Sequence, residues 1–364
     1  NINNKSLTDI INENSWDPSK NLTIKGYGEN VSTWSDFQFN YSQVEHGRPA
    51  KLHIQDITLS TETIDGYAVY SRETLTSMLN VTIKGYSGDH NSKISAIPTE
   101  DENGNSLDGA APEGSRWLET GGGAMRIREA DYTTENIEND ENPNLKNVTV
   151  TNCCRGIRIQ DSTAIYIKEC SVYNISDNGI YLASGNYKSN NGCYNCVIEN
   201  CSVELVGNTG LMNIGGCNNQ FINCTAEDTR GAGGAIYNTN CKDERVNGSV
   251  PDGPILFQNC TFTNVNDPTK GEKAPHSLPT DNYSGAAFGM SIESDDTDAD
   301  VIVRNSSFCE LNDSVFYKNS SVGRLTSESN IFKPPTAQLV ADGSQAIFVT
   351  QIECITENSE VKVL

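Results

Sequence analysis

The sequence predicts an all-β fold, a β-solenoid, from three observations. A short phrase recurs: Ile167-Lys168-Glu169-Cys170-Ser171-Val172, Ile198-Glu199-Asn200-Cys201-Ser202-Val203, Ile222-Asn223-Cys224-Thr225-Ala226 and Phe257-Gln258-Asn259-Cys260-Thr261-Phe262. Each phrase is followed by a second short strand opening on glycine, at Gly179, Gly210, Gly234 and Gly289, with cysteine-to-glycine offsets of 9, 9 and 10 residues in the first three. These segments alternate as strands do and carry almost no helical period, so each repeat is one coil that buries its apolar side only by stacking on its neighbours.

In chain order, Leu7, Ile10 and Ile11 fall at helical spacing within residues 6–14. They predict a short helix capping the first coil, where open strand edges need cover. The near copies Asn21-Leu22-Thr23-Ile24-Lys25-Gly26-Tyr27 and Asn80-Val81-Thr82-Ile83-Lys84-Gly85-Tyr86 carry the repeat almost to the start. Polar stretches at 87–123, 135–144 and 264–284 interrupt the rhythm and are expected to project as loops walling a groove. Strands around 338–340 and 346–349 depart from the pattern. The expected organisation is one domain, with a cap at 1–20, coils at 21–332 and closing strands at 333–364.

Cysteine placement separates two uses of thiols. Of twelve cysteines, Cys170, Cys201, Cys224 and Cys260 share one column that continues as Ser306. Neighbours about 4.8 Å apart along a rod suit a ladder of small buried thiols better than bridges. Any disulfides are expected among Cys193, Cys196, Cys217 and Cys241. Cys193-Tyr194-Asn195-Cys196 lacks the second pair a zinc site needs. The sequons at Asn80, Asn147, Asn174, Asn223 and Asn259 read as coil grammar.

A net charge of -22 argues against a nucleic-acid partner, because phosphate binding needs a basic footprint. No apolar run approaches the roughly 18 residues of a membrane span, so membrane insertion is not expected.

The runs Val148-Thr149-Val150-Thr151-Asn152-Cys153, Ile165-Tyr166-Ile167-Lys168-Glu169-Cys170 and Asp177-Asn178-Gly179-Ile180-Tyr181-Leu182 resemble the single-stranded right-handed parallel β-helix of carbohydrate-active proteins: polysaccharide lyases, mannuronan C5-epimerases and some glycoside hydrolases. The resemblance covers about residues 21–332. It implies a secreted or cell-surface protein whose partner is a polysaccharide or oligosaccharide, with no cofactor required. The epimerase Asp-Pro-His-Asp motif, the polygalacturonase signatures and the full catalytic lysine segment of alginate lyases are absent, so no family's catalytic residues transfer by position.

Strand alternation then sorts side chains by face. With Ile157, Ile159, Ile180, Leu182, Met290, Ile292, Val315 and Tyr317 inward, the outward set is Arg158, Gln160, Tyr181, Ser291, Glu293, Phe316 and Lys318, joined by Arg126 and Arg128. Arginine forks neutralise a uronate carboxylate and acidify the adjacent carbon, while a phenol moves the proton. Tyr181 is accordingly the expected acid or base, Arg158 the neutraliser and Arg126 a neighbouring subsite, with Arg128, Gln160, Tyr237, Glu293 and Lys318 contacting substrate. His90 in an overhanging loop is a second catalytic candidate. The alternatives are a hydrolase, which needs paired carboxyls drawn from Asp161, Asp177, Glu204, Glu227, Asp228 and Glu293 with Asp177 foremost, and a non-catalytic carbohydrate-binding or adhesion protein. The acidic runs 101–105 and Asp295, Asp296, Asp298 and Asp300 offer oxygen ligands for structural calcium.

Overall fold

The computed structural model describes residues 6–14, 16–45, 47–61, 66–86, 123–138, 142–184, 192–229, 231–237, 253–265, 290–293, 300–309, 316–318, 325–333, 346–347 and 360–361. Within them the chain winds as stacked coils of three legs. The first leg includes Tyr166–Lys168, Val197–Glu199, Gln220–Ile222 and Ile255–Gln258, and the second includes Ser171–Ile175, Ser202–Val206, Thr225–Thr229 and Thr261–Thr263. The two legs share one sheet, in which Lys51–Ser60, Leu75–Lys84 and Leu145–Cys153 each run through both. The third leg forms a separate sheet from Phe39–Asn40, Tyr67–Arg72, Gly123–Arg128, Ile157–Gln160, Ile180–Ala183, Leu211–Ile214, Gly234–Tyr237, Met290–Glu293 and Phe316–Lys318. Pairing between successive coils is parallel.

The recurring asparagine makes the bend between the first two legs. Asp56, Asn80, Asn147, Glu169, Asn200, Asn223, Asn259, Asn305 and Ser329 all hold φ between 51° and 56°. Asparagine tolerates this left-handed region better than most residues because its short side chain bonds locally. It also bonds along the rod: Asn147 donates to Asn80 at 2.9 Å, Asn80 to Asp56 at 2.9 Å, and Asn259 to Asn223 and Asn223 to Asn200 at 3.0 Å each. The five sequon asparagines are thus bend residues, Asn174 belonging to a second left-handed column.

One residue past the bend the chain turns inward, and the thiol ladder occupies that position. Cys170, Cys201, Cys224 and Cys260 are buried and free, and the Cys170 N–H donates to Cys201 Sγ at 3.4 Å. The column ends in oxygen acceptors, Ser306 Oγ for Cys260 N–H at 3.0 Å and Asn330 Oδ1 for Ser306 N–H at 2.8 Å. Cys193, Cys196 and Cys217 are thiols rather than disulfides; Cys241 lies outside the described residues. Burial pushes the Cys153 thiol up to about 12 and Cys193, Cys201 and Cys260 well above the ordinary value, whereas at Cys224 burial is outweighed by hydrogen bonds from Cys201 and Cys260, which hold it below that value. Phenylalanines stack along the bore: Phe221 on Phe257 at 4.5 Å between centroids and Phe262 on Phe308 at 4.9 Å.

The helix forms at Leu7–Asn14, with Leu7 and Ile11 buried in the core. A reciprocal cap starts it: Ser6 Oγ accepts from Asp9 N–H at 3.1 Å while Asp9 Oδ2 accepts from Ser6 N–H at 3.2 Å. Farther along, Ala346–Ile347 pairs antiparallel with Phe316–Lys318, while Glu360–Val361 pairs parallel with Ile331–Lys333. One expectation is corrected. The stretch at 135–144 opens with a short helix, Glu135–Glu138, rather than running wholly as loop. Phe316 pairs with Met290, Tyr317 with Ser291 and Lys318 with Ile292 in register.

Candidate functional site

Register on the third leg lines up one outer row: Asn40 beside Tyr70, Tyr70 beside Arg126, Arg126 beside Arg158, Arg158 beside Tyr181, Tyr181 beside Met212 and Met212 beside Ala235. A second outer row places Arg72 beside Arg128 and Arg128 beside Gln160. Arg126, Arg158 and Tyr181 thus share one row, and Arg128 and Gln160 lie in the adjacent one. The outer row is not open throughout: Tyr181 is only 4% exposed and Gln160 1%. Tyr181, Ala183, Met212, Ala232 and Ala235, with Ile214 packed against them, form a second buried apolar cluster on the downstream half of the face.

The upstream half is more accessible at Tyr70, Arg126 and Arg128, which are half-buried, while Tyr67 is 5% exposed. A cleft of about 510 Å³ lies over these four residues, walled by Gln38, Asn40, Tyr41, Ser42 and Gln43. Tyr67 reaches this cluster across Gly123, its register partner. A Cβ at Gly123 would stand 2.7 Å from Tyr67 Cε1 and 3.0 Å from Arg155 Cβ, so only glycine leaves the ring this path. The Tyr67 hydroxyl accepts from Arg155 Nη1 at 3.2 Å, and Arg155 Nε is paired with Asp177 Oδ2 at 2.8 Å. Asp177 Oδ1 accepts from Asn208 at 3.2 Å. Arg126 Nε donates to Gln160 Oε1 at 2.9 Å, with its guanidinium 4.7 Å from the Tyr70 ring. Arg158 lies 5.5 Å from the Tyr181 ring, and its Nε is buried with no hydrogen-bond partner among the described residues.

These charges treat the phenols differently. Burial pushes Tyr67 up, but Arg155, Arg158 and Arg126 together outweigh it and hold the phenol below its ordinary value. Burial dominates at Tyr181 and carries it well above that value despite Arg158. Tyr70 is likewise raised by burial. Arg126 is itself lowered, by burial and by neighbouring Arg158. Farther along, Arg72 and Arg128 are balanced by Glu129, at 2.6 and 2.9 Å. Among the described residues, the carboxylate paired within this group of arginines is Asp177, bonded to Arg155. The described part of the site thus gathers three guanidinium groups around a phenol held below its ordinary value, in a chain of net charge -22.

Sequence reasoning missed Tyr67, Tyr70 and Arg155. The alternation of Tyr67-Ala68-Val69-Tyr70-Ser71-Arg72 signalled an outward Tyr70 and Arg72, but Arg155 sits in a turn that no strand pattern marks. Glu204 and Glu227 stand side by side on the exposed face of the second leg, apart from the arginine row. Asp161 accepts from Gln160 at 3.1 Å. Tyr237 and Glu293 pair with each other in the third-leg sheet. His90, residues 101–105, Asp295, Asp296 and Asp298 lie outside the described residues. Asp300 is half-buried at the start of Val301–Arg304, and among the described residues no three His, Cys, Asp or Glu side chains gather to hold a metal.

A family model described as right handed beta helix region matches residues 136–352. Among solved structures, the alginate lyase from Paenibacillus sp. str. FPU-7 is similar to this chain, at 11% identity and a TM-score of 0.44, over 81% of this chain and 84% of that one. No curated protein matches the chain.

Proposed function

The chain belongs to the right-handed β-helix family, and we propose that it cleaves a uronic-acid polysaccharide by β-elimination in the cleft on the third leg. The observation that carries this reading is Tyr67, a largely buried phenol held below its ordinary pKa by three guanidinium groups at the edge of a cleft that it lines with Arg126. A uronate carboxylate docked on Arg126, with Arg158 behind it, loses the charge that otherwise disfavours removal of its α-proton. The Tyr67 phenolate takes the C5 proton, the C4–O bond breaks, and the leaving oxygen takes a proton back from the phenol, giving a 4,5-unsaturated end. Arg155 and Asp177 are positioning residues, the first polarising Tyr67 and the second fixing Arg155. Hydrolysis would need Asp177 free to serve as acid or base, and both its oxygens are engaged. A polymeric substrate suits a secreted or cell-surface protein.

The test is incubation with a panel of polyuronates and neutral glucans, followed by ultraviolet absorbance of unsaturated ends together with reducing-end release. Both signals should rise in step on a polyuronate. Reducing ends without absorbance, or cleavage of a neutral glucan alone, would overturn elimination; inactivity on every polymer would leave binding as the function.

A further inference from the structure

A second cleft, of about 650 Å³, opens on the first leg, away from the arginine row. Its floor is one row of the sheet. His53 pairs with Ser77 in register, and Met78 with Leu145, which sets Asn144 beside Ser77 on the next coil. All three line the cleft. Adjacent parallel strands lie about 4.8 Å apart, so side chains in one row meet directly. His53 Nδ1 and Ser77 Oγ are in hydrogen-bond contact. Asn144 is anchored through its carbonyl, which accepts the Tyr166 N–H at 2.7 Å, leaving its NH2 as the donor of the group.

We propose that this row is a second catalytic site, a Ser77 nucleophile with His53 as general base and the Asn144 amide as oxyanion donor, acting on carboxylic esters of polyhydroxy alcohols such as acylated sugars. Three successive coils thus supply the three roles that acyl transfer requires. Ser77 Oγ adds to the ester carbonyl carbon as its proton passes to His53, and the oxyanion receives an N–H from Asn144. Collapse breaks the acyl C–O bond and the alcohol leaves with the proton from His53. Water, deprotonated by His53, then releases the acid and restores Ser77. Burial and the nearby Lys51 ammonium hold His53 below its ordinary pKa, which keeps the ring neutral and able to accept. Leu75, Leu79 and Pro143 give the acyl group an apolar wall, while Lys51, Gln55 and Lys146 present polar groups to the alcohol. The site is independent of the elimination proposed above and shares no residue with it.

The test uses the full chain with an alkyl fluorophosphonate and with p-nitrophenyl acetate. The expected result is one adduct per chain, mapped by peptide mass spectrometry to Ser77, and nitrophenol release that falls about 100-fold or more in His53→Gln. Asn144→Asp keeps the acceptor for Tyr166 N–H and loses the donor, so hydrolysis should fall by about 100-fold. Absence of an adduct in the wild-type chain, an adduct on another residue, or hydrolysis by Ser77→Ala at the wild-type rate would overturn the proposal. Adduct mapping on the unmutated chain decides between these outcomes even where a variant fails to fold.

Discussion

Tyr67→Phe separates catalysis from architecture at the arginine row. The substitution keeps the ring lying across Gly123 and removes only the hydroxyl, which is buried and bonded to Arg155 Nη1 at 3.2 Å. Losing a hydrogen bond to a charged group should cost about 1.5–3 kcal/mol of stability. Losing the proton-transfer group should cut kcat/KM by about 10²–10⁴, or about 3–5 kcal/mol of transition-state stabilisation. KM should change little, because Arg126 and Arg158 remain to hold the carboxylate. The assay is the initial rate of unsaturated-end formation on the polyuronate that the panel identifies, with folding checked by circular dichroism. Tyr181→Phe is the control: it keeps the ring against Arg158 and removes a phenol that burial holds protonated. Its rate should stay within about tenfold of wild type, a loss below about 1.4 kcal/mol. A Tyr67→Phe enzyme at full rate, or a Tyr181→Phe enzyme losing orders of magnitude, would refute the assignment of the base.

Because the phenolate is the reactive form and Tyr67 lies below its ordinary pKa, kcat/KM should rise with pH and level off below about pH 10, the usual tyrosine value; a pH–rate profile still climbing above that point would contradict it. Gly123→Ala should lower the rate toward that of Tyr67→Phe without changing the far-ultraviolet spectrum, since its Cβ would fall 2.7 Å from the Tyr67 ring. Phe257→Ala removes the ring stacked on Phe221 inside the bore and should lower stability by about 3–5 kcal/mol in chemical denaturation. Alkylation mapped by mass spectrometry should leave Cys170, Cys201, Cys224 and Cys260 unmodified in the native chain and modify all four after denaturation.

The fold was legible because its grammar is local. Asn200-Cys201, Asn223-Cys224 and Asn259-Cys260 each encode a left-handed bend followed by an inward thiol. Faces were legible where an apolar alternation was strong, as at Ile157 and Ile159, both fully buried. The arginine row was legible for the same reason as the coils, since Arg126 and Arg158 occupy equivalent strand positions. The base was not. Tyr67 owes its acidity to Arg155, 88 residues away in sequence, and its path to the missing side chain of Gly123. Nor could strand alternation reveal that Tyr181 is covered, because the residues beside it, Met212 and Ala235, come from later coils.

The most direct measurement is a pH titration of the chain labelled with 13C at the tyrosine Cζ, with Tyr67→Phe identifying the resonance. Ionisation of the Tyr67 phenol below the usual tyrosine value is expected, shifted upward when Arg126 is replaced by glutamine. A Tyr67 resonance that titrates at or above that value, or is indifferent to Arg126, would mean that burial prevails over the three guanidinium groups and that the cleft holds no poised base.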